Sequence, residues 1–218
     1  MITRRALDVS VTMVADPALC GERGVAPVVG DAVDGGVRTV RLHNRGANAA
    51  ELLRQLEALA AVIDGRAALL VDERVDVAIA ARMRGMAVAG VHIEHGVSAA
   101  SDARELLGDD AIIGLTANTA AHVAELRQMP RRDVDYLGVG VIRPMATGDH
   151  PAALGVRGFA RFAAEAELPC VAIGDITLAD VRPLRDAGAA GIALVSALCA
   201  APDPRAAAAE FAAEWNAR

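Results

Sequence analysis

Short apolar runs rich in branched residues alternate with amphipathic stretches along the whole 218-residue chain, and this alternation leaves few folds open. The clearest unit is 68–80, ALLVDERVDVAIA. Its apolar run is too short for a helix and branched enough for a buried strand at 68–71, with a helix starting near Arg74. Similar strands read at 8–15, 38–44, 90–94, 111–116, 134–141, 170–175 and 191–197. Helices read at 25–33, 48–64, 101–107 with Ser101 as cap, 120–129, 156–166, 178–187 and 204–216. Leucines at 52, 53, 56 and 59 form the strongest helical stripe, and Asp203 with Pro204 marks the last helix start. Such strand–helix units imply parallel strands joined by crossover helices. Eight of them close into a single-domain α/β (β/α)₈ TIM barrel, for which ~200 residues is near the compact end. An open doubly wound sheet is the rival, but it needs no eighth unit.

Aromatic residues are only 2% of a chain that is 54% hydrophobic, so the core is expected to be aliphatic, as a buried parallel sheet requires. A formal net charge of −6 offers no basic footprint for nucleic acid. No apolar run is long enough to span a bilayer, and Asp8 spoils the amino terminus as a signal peptide. Cys20, Cys170 and Cys199 are odd in number and widely spaced, which suggests a reducing, cytoplasmic setting and no zinc knuckle. The chain contains no lysine: all 22 of its Lys+Arg residues are arginine. Schiff-base chemistry and pyridoxal phosphate attachment are thereby excluded. No glycine-rich fingerprint follows the first strand, so no nicotinamide cofactor is expected.

In a repeated strand–helix fold, chemistry gathers at the carboxyl ends of the strands. Those ends carry Asp16; Arg41, His43 and Arg45; Asp72 and Glu73; His92, Glu94 and His95; Thr116, Asn118 and Thr119; Arg143, Thr147, Asp149 and His150; Asp175 and Thr177; and Ser196. Alternation puts Arg41, His43 and Arg45 on one side of the second strand. Four of the five histidines fall at this end, and only His122 lies on a helix. Each alone is more often structural; together with the acids they form a polar mouth, the default site for a small-molecule substrate. Metal binding by Asp72, Glu73, His92 or His95 competes with acid–base work by His43, His95 or His150. A purely structural polar rim is the third reading.

GVRTVRLHNR at 36–45, LLVDERVDVAIA, GVHIEHG, IIGLTANT, DYLGVGVIRP, VAIGDIT and DAGAAGIALVSAL occur in the order seen in thiamine phosphate synthases and the related thiazole tautomerases. The chain resembles that superfamily over nearly its whole length. For the synthases the resemblance implies a (β/α)₈ barrel and a homodimer. It also implies the Mg²⁺-dependent joining of an aminopyrimidine methyl diphosphate to a thiazole phosphate. The diphosphate leaves, and the thiazole nitrogen captures a pyrimidine carbocation.

The residues that hold substrate in that family are largely replaced. Its Gln-x-Arg-x-Lys pattern meets Arg41, His43 and Arg45, and its Asn-Asp pair meets Asp72 and Glu73. Where it has an acidic ligand after strand four, this chain has Val97, with Glu94 nearby. Asn118 stands where the tautomerases use a histidine, Thr147 keeps one threonine of a loop that has lost its lysine, and Ser196 is retained. In the Gly-Gly-x-Thr phosphate nest, Asp175 replaces a glycine beside Thr177. A carboxylate there would add like charge near ~4 Å, a cost of several kcal/mol.

Because the replacements are ionisable rather than inert, the expected function is a divergent synthase-like enzyme with an altered site for a small heterocyclic or polar substrate. A working thiamine phosphate synthase and a non-catalytic ligand-binding barrel are the alternatives. The expected catalytic residues are His43, His95 and Asp175. Arg41, Arg45, Thr116, Asn118, Arg143, Thr147, Thr177 and Ser196 are expected to bind substrate, and Asp72 and Glu73 a metal, Mg²⁺ by the resemblance.

Overall fold

In the computed structural model, residues 4–94, 96–128, 130–143 and 153–217 are described. The strands are β1 (Val11–Ala15), β2 (Thr39–Leu42), β3 (Ala68–Asp72), β4 (Gly90–Ile93), β5 (Ile112–Thr116), β6 (Tyr136–Gly140), β7 (Cys170–Ile173) and β8 (Gly191–Leu194). They pair in sequence order, all parallel, and β8 returns to β1 to close the barrel. The helices are α1 (Pro17–Cys20), α2 (Val25–Asp34), α3 (Ala49–Ile63), α4 (Val75–Met83), α5 (Val97–Leu107), α6 (Ala120–Leu126), α7 (Gly155–Glu165), α8 (Leu178–Asp186), α9 (Ser196–Cys199) and α10 (Pro204–Asn216).

Strand alternation divides the core in two. Leu69 and Val71 of β3, Val91 and Ile93 of β4, and Leu137 and Val139 of β6 point outward against the helices. Leu52, Leu53, Leu56, Leu59 and Ile63 of α3 meet this layer, at about 1.5–3 kcal/mol for each fully buried side chain. Ala68, Leu70, Ile112, Tyr136 and Val171 point into the lumen. The lumen is not purely aliphatic, as composition suggested: Thr12, Thr39, Arg41, Asp72 and His92 are buried as well. The register sets Asp72 beside His92, His92 beside Gly114, and Gly114 beside Tyr136, so one polar layer crosses the upper lumen.

The strand–helix reading survives with shifted ends. Helix α5 starts at Val97, behind Gly96 at φ 91°. Ser101 is therefore inside the helix and not its cap; its hydroxyl donates to Asp133 at 2.8 Å. An early start lets Ala100, Ala103 and Leu107 face the core on one side. Strand β8 stops at Leu194, so Ser196 opens α9 instead of riding the strand. The loop read after β1 contains α1, whose first turn is capped by Asp16 accepting from the Ala18 N–H at 2.8 Å. Cys20, Cys170 and Cys199 are buried and free. No helix among the described residues is long and apolar enough to cross a membrane.

Candidate active site

The mouth is built from the carboxyl ends of β2, β3 and β4. Residues of even spacing on β2 face inward, so Arg41 enters the lumen and His43, just past the strand, lies above it. Arg41 grips Asp72 in a fork: Nε donates to Oδ1 at 3.0 Å and Nη2 to Oδ2 at 2.9 Å. Both side chains are about 95% buried, with 5% and 4% exposure. Nδ1 of His43 lies 3.0 Å from the same Oδ2 and 3.6 Å from Oε1 of Glu94. Glu94 also pairs with the exposed Arg45, and its backbone N–H donates to Glu73, which holds a left-handed φ of 63°. Burial pushes the Asp72 carboxyl up, but the Arg41 charge and the hydrogen bonds from His43 and Arg41 outweigh it and hold it below the usual carboxylate range.

Ligand atoms of His43, Asp72 and Glu94 lie within 4.8 Å of one another. Mg²⁺ takes oxygen ligands, keeps several waters and needs only one or two carboxylates. Asp72 and Glu94 suit that demand, with Glu73 lining the same cleft. The imidazole suits it less, and His43 serves Asp72 through Nδ1. Among the described residues His43, Asp72 and Glu94 form the group that closes within this distance, and Glu73 stands beside it in the cleft. The sequence places Glu94 at this strand end without assigning it a metal role; the inward parity of β4, through His92, is the signal that points it into the mouth.

The other expected residues form separate groups. Below the mouth, His92 is wholly buried, with Nδ1 3.0 Å from the Tyr136 hydroxyl and Nε2 3.0 Å from the Thr116 hydroxyl. Burial, then the Arg41 charge, pushes His92 well below the ordinary histidine range. Asn118 ties neighbouring strand ends together, accepting from the Gly140 N–H at 3.0 Å. His122, set apart on its helix by the sequence reading, reaches this rim: its Nδ1 accepts from the Asn118 N–H at 3.0 Å. Across the mouth, Arg143 forks onto Asp180 at 2.8 and 2.7 Å. Asp180 also accepts from the Thr177 N–H and hydroxyl at 2.8 and 2.7 Å, closing the first turn of α8. Asp180 was not singled out from sequence, although its place three residues after Thr177 is a capping-box signal. Asp175 and Ser196 are exposed at the ends of β7 and β8, and Asp175 holds φ 48°. His95 and Thr147 lie outside the described residues.

With this geometry in view, the comparisons are specific. A family model described as "Thiamine monophosphate synthase" matches residues 11–198. The chain belongs to the thiamine monophosphate synthase family. It is 41% identical over 181 residues to a thiamine-phosphate synthase of Corynebacterium efficiens, covering 83% of each chain. It is 36% identical over 200 residues to a thiamine-phosphate synthase of a Psychrobacter species, covering 91% of this chain and 92% of that one. Among solved structures, a thiamine phosphate pyrophosphorylase from Pyrococcus furiosus superposes with a TM-score of 0.79 at 26% identity, covering 94% of each chain.

Proposed function

We propose that this protein is a thiamine-phosphate synthase: it joins an aminopyrimidine methyl diphosphate to a thiazole phosphate and releases diphosphate. The observation that carries this reading is the Arg41–Asp72–His43–Glu94–Arg45 cluster at one barrel mouth, in a chain matched over most of its length by relatives of that name. These relatives favour a working synthase over a repurposed enzyme. The cluster supplies what the reaction needs. Arg45 is 67% exposed, so its pair with Glu94 can open toward a diphosphate, while Arg41 adds a guanidinium fixed from below. Asp72 and Glu94 would hold Mg²⁺, which neutralises charge growing on the departing diphosphate oxygens. The C–O bond breaks with its electron pair going to diphosphate, and the thiazole nitrogen donates a pair to the pyrimidine methylene. Carboxylates around the mouth favour the cationic carbon electrostatically. A cytoplasmic setting and a homodimer accompany this reading; light scattering tests the dimer.

The test is diphosphate release from the two precursors. Release that requires both precursors and Mg²⁺, and stops with chelator, is expected; no release at any Mg²⁺ concentration sinks the reading. One feature favours the repurposed alternative. Asp175 occupies a left-handed backbone position that glycine fills more cheaply. Its carboxylate stands in solvent and is felt by Arg143, which limits its repulsion of a phosphate. Asp175→Gly should therefore tighten thiazole phosphate binding only modestly; a gain of about a hundredfold, ~2.7 kcal/mol, would instead support a site rebuilt against phosphate.

A further inference from the structure

The lumen beneath the mouth holds a three-membered chain that the cluster above does not use. Tyr136, His92 and Thr116 are linked at 3.0 Å and 3.0 Å, in that order. The ring of His92 is clamped. A Cβ on Gly114 would lie 2.4 Å from His92 Nδ1 and 2.4 Å from Tyr136 Cζ, and one on Gly138 would lie 3.1 Å from His92 Cε1. Only glycine leaves space there for two stacked-in rings, whose centroids are 5.5 Å apart.

An imidazole that accepts at one nitrogen carries its proton on the other, and the buried Tyr136 hydroxyl decides which. The hydroxyl of Tyr136 is fully buried, and His92 is its one hydrogen-bond partner among the described residues. If Nδ1 carried the proton, Tyr136 would accept it and its own O–H would be left buried with nothing to donate to, at the full cost of desolvation. The opposite arrangement leaves nothing unpaired. Tyr136 donates to Nδ1, and Nε2–H donates to the Thr116 oxygen. The proton of the Thr116 hydroxyl is then directed away from His92. Thr116 is the partly exposed end of the chain, at the carboxyl end of β5.

We infer that Tyr136 and His92 are positioning residues that set the polarity of Thr116: its oxygen accepts from His92 Nε2–H, which aims its own proton toward the mouth. The site on β5 therefore offers a pre-aimed donor to a substrate atom that accepts a hydrogen bond, an unprotonated ring nitrogen or a diphosphate oxygen. The polarity follows from the buried geometry alone; its use on an aminopyrimidine diphosphate rests on the synthase reading.

Two measurements test this. Nitrogen NMR of the labelled wild-type protein, without substrate, should show His92 protonated on Nε2; protonation on Nδ1 overturns the relay whatever the protein catalyses. A kinetic double-mutant cycle then tests its use. Tyr136→Phe should raise KM for the diphosphate substrate about five- to tenfold with little change in kcat, as loss of one oriented hydrogen bond predicts. In a Thr116→Val background the same change should add nothing, and Thr116→Ser should restore most of the affinity. Additive effects, or an unchanged KM in Tyr136→Phe, overturn the relay's part in recognition. Titrating inorganic diphosphate alone and the hydroxymethyl aminopyrimidine alone into wild type and Thr116→Val identifies which carries the acceptor; no loss for either refutes the donor assignment. If the wild type releases no diphosphate at all, the synthase reading fails while the NMR result still decides the polarity.

Discussion

At the amino-terminal floor of the barrel Arg104 lies 2.7 Å from Asp135, and at the mouth Arg41 lies 2.9 Å from Asp72. All four side chains are nearly buried. The floor closes on itself. Arg104 also donates to the carbonyls of Gly108 and Ala111, and Asp135 accepts from the Ile113 N–H and pairs with Arg4. Within that cluster only Nε of Arg104 lacks a partner. The mouth instead ends in groups that still have something to offer: the second nitrogen of His43 and the Thr116 hydroxyl, with the Arg45–Glu94 pair at the solvent edge. The same pair of residue types thus braces one end and equips the other. What separates them is whether the surrounding valences are filled by the chain itself.

The largest effect should come from Asp72→Ala. It strands a buried guanidinium and removes the anchor of His43, so unfolding in urea should show a loss of about 3–5 kcal/mol together with loss of diphosphate release. Wild-type stability in this variant would break the comparison from the mouth side. At the floor, Asp135→Ala should cost about 3 kcal/mol by the same logic, while KM for both precursors stays unchanged in the folded fraction. A raised KM would show that the floor is coupled to the chemistry.

Glu94→Gln should leave stability within about 1 kcal/mol, because its partner Arg45 is largely exposed. It should raise the Mg²⁺ concentration for half-maximal rate about tenfold, read directly from a Mg²⁺ titration. An unchanged Mg²⁺ dependence would remove Glu94 from the metal set.

Acid should act most on the mouth. The Asp180 carboxyl is raised by burial, but hydrogen bonds from Arg143 and Thr177 bring it down to about 2, and Asp72 is lowered as well. Groups depressed in the folded state contribute stability that is complete above about pH 4, the ordinary carboxylate value, and fades as pH falls through their folded values. Stability should therefore drop between about pH 4 and pH 2, and Asp180→Asn should make that drop shallower. An identical slope in the variant would show that Asp180 contributes nothing to it.

Much of the fold is legible in the sequence because strand and helix periods are local. A branched apolar run such as 68–71 can do little but become a buried strand, and the α3 leucine stripe little but face it. Element ends were less legible. The start of α5 turns on Gly96 adopting a left-handed backbone, and the end of β8 on where pairing with β1 and β7 stops. Neither leaves a periodic mark.

The candidate site was legible as a set of residues and not as a set of partners. Arg41, His43, Arg45 and Asp72 were all expected at one rim, and strand parity explains why they converge. That Asp180 would take up both Arg143 and Thr177, or that Glu94 would join Asp72, depends on side chains far apart in the chain.

By itself, then, the sequence determined the eightfold strand–helix repeat, the aliphatic outer layer and the rim on which the ionisable groups collect. Each follows from residue spacing within a few turns or strands. Only the tertiary structure decided which charges are closed off and which remain open, and which way the Tyr136–His92–Thr116 chain points. Those outcomes depend on the register between neighbouring strands and on the room left by Gly114 and Gly138, and the barrel sets both only when it closes.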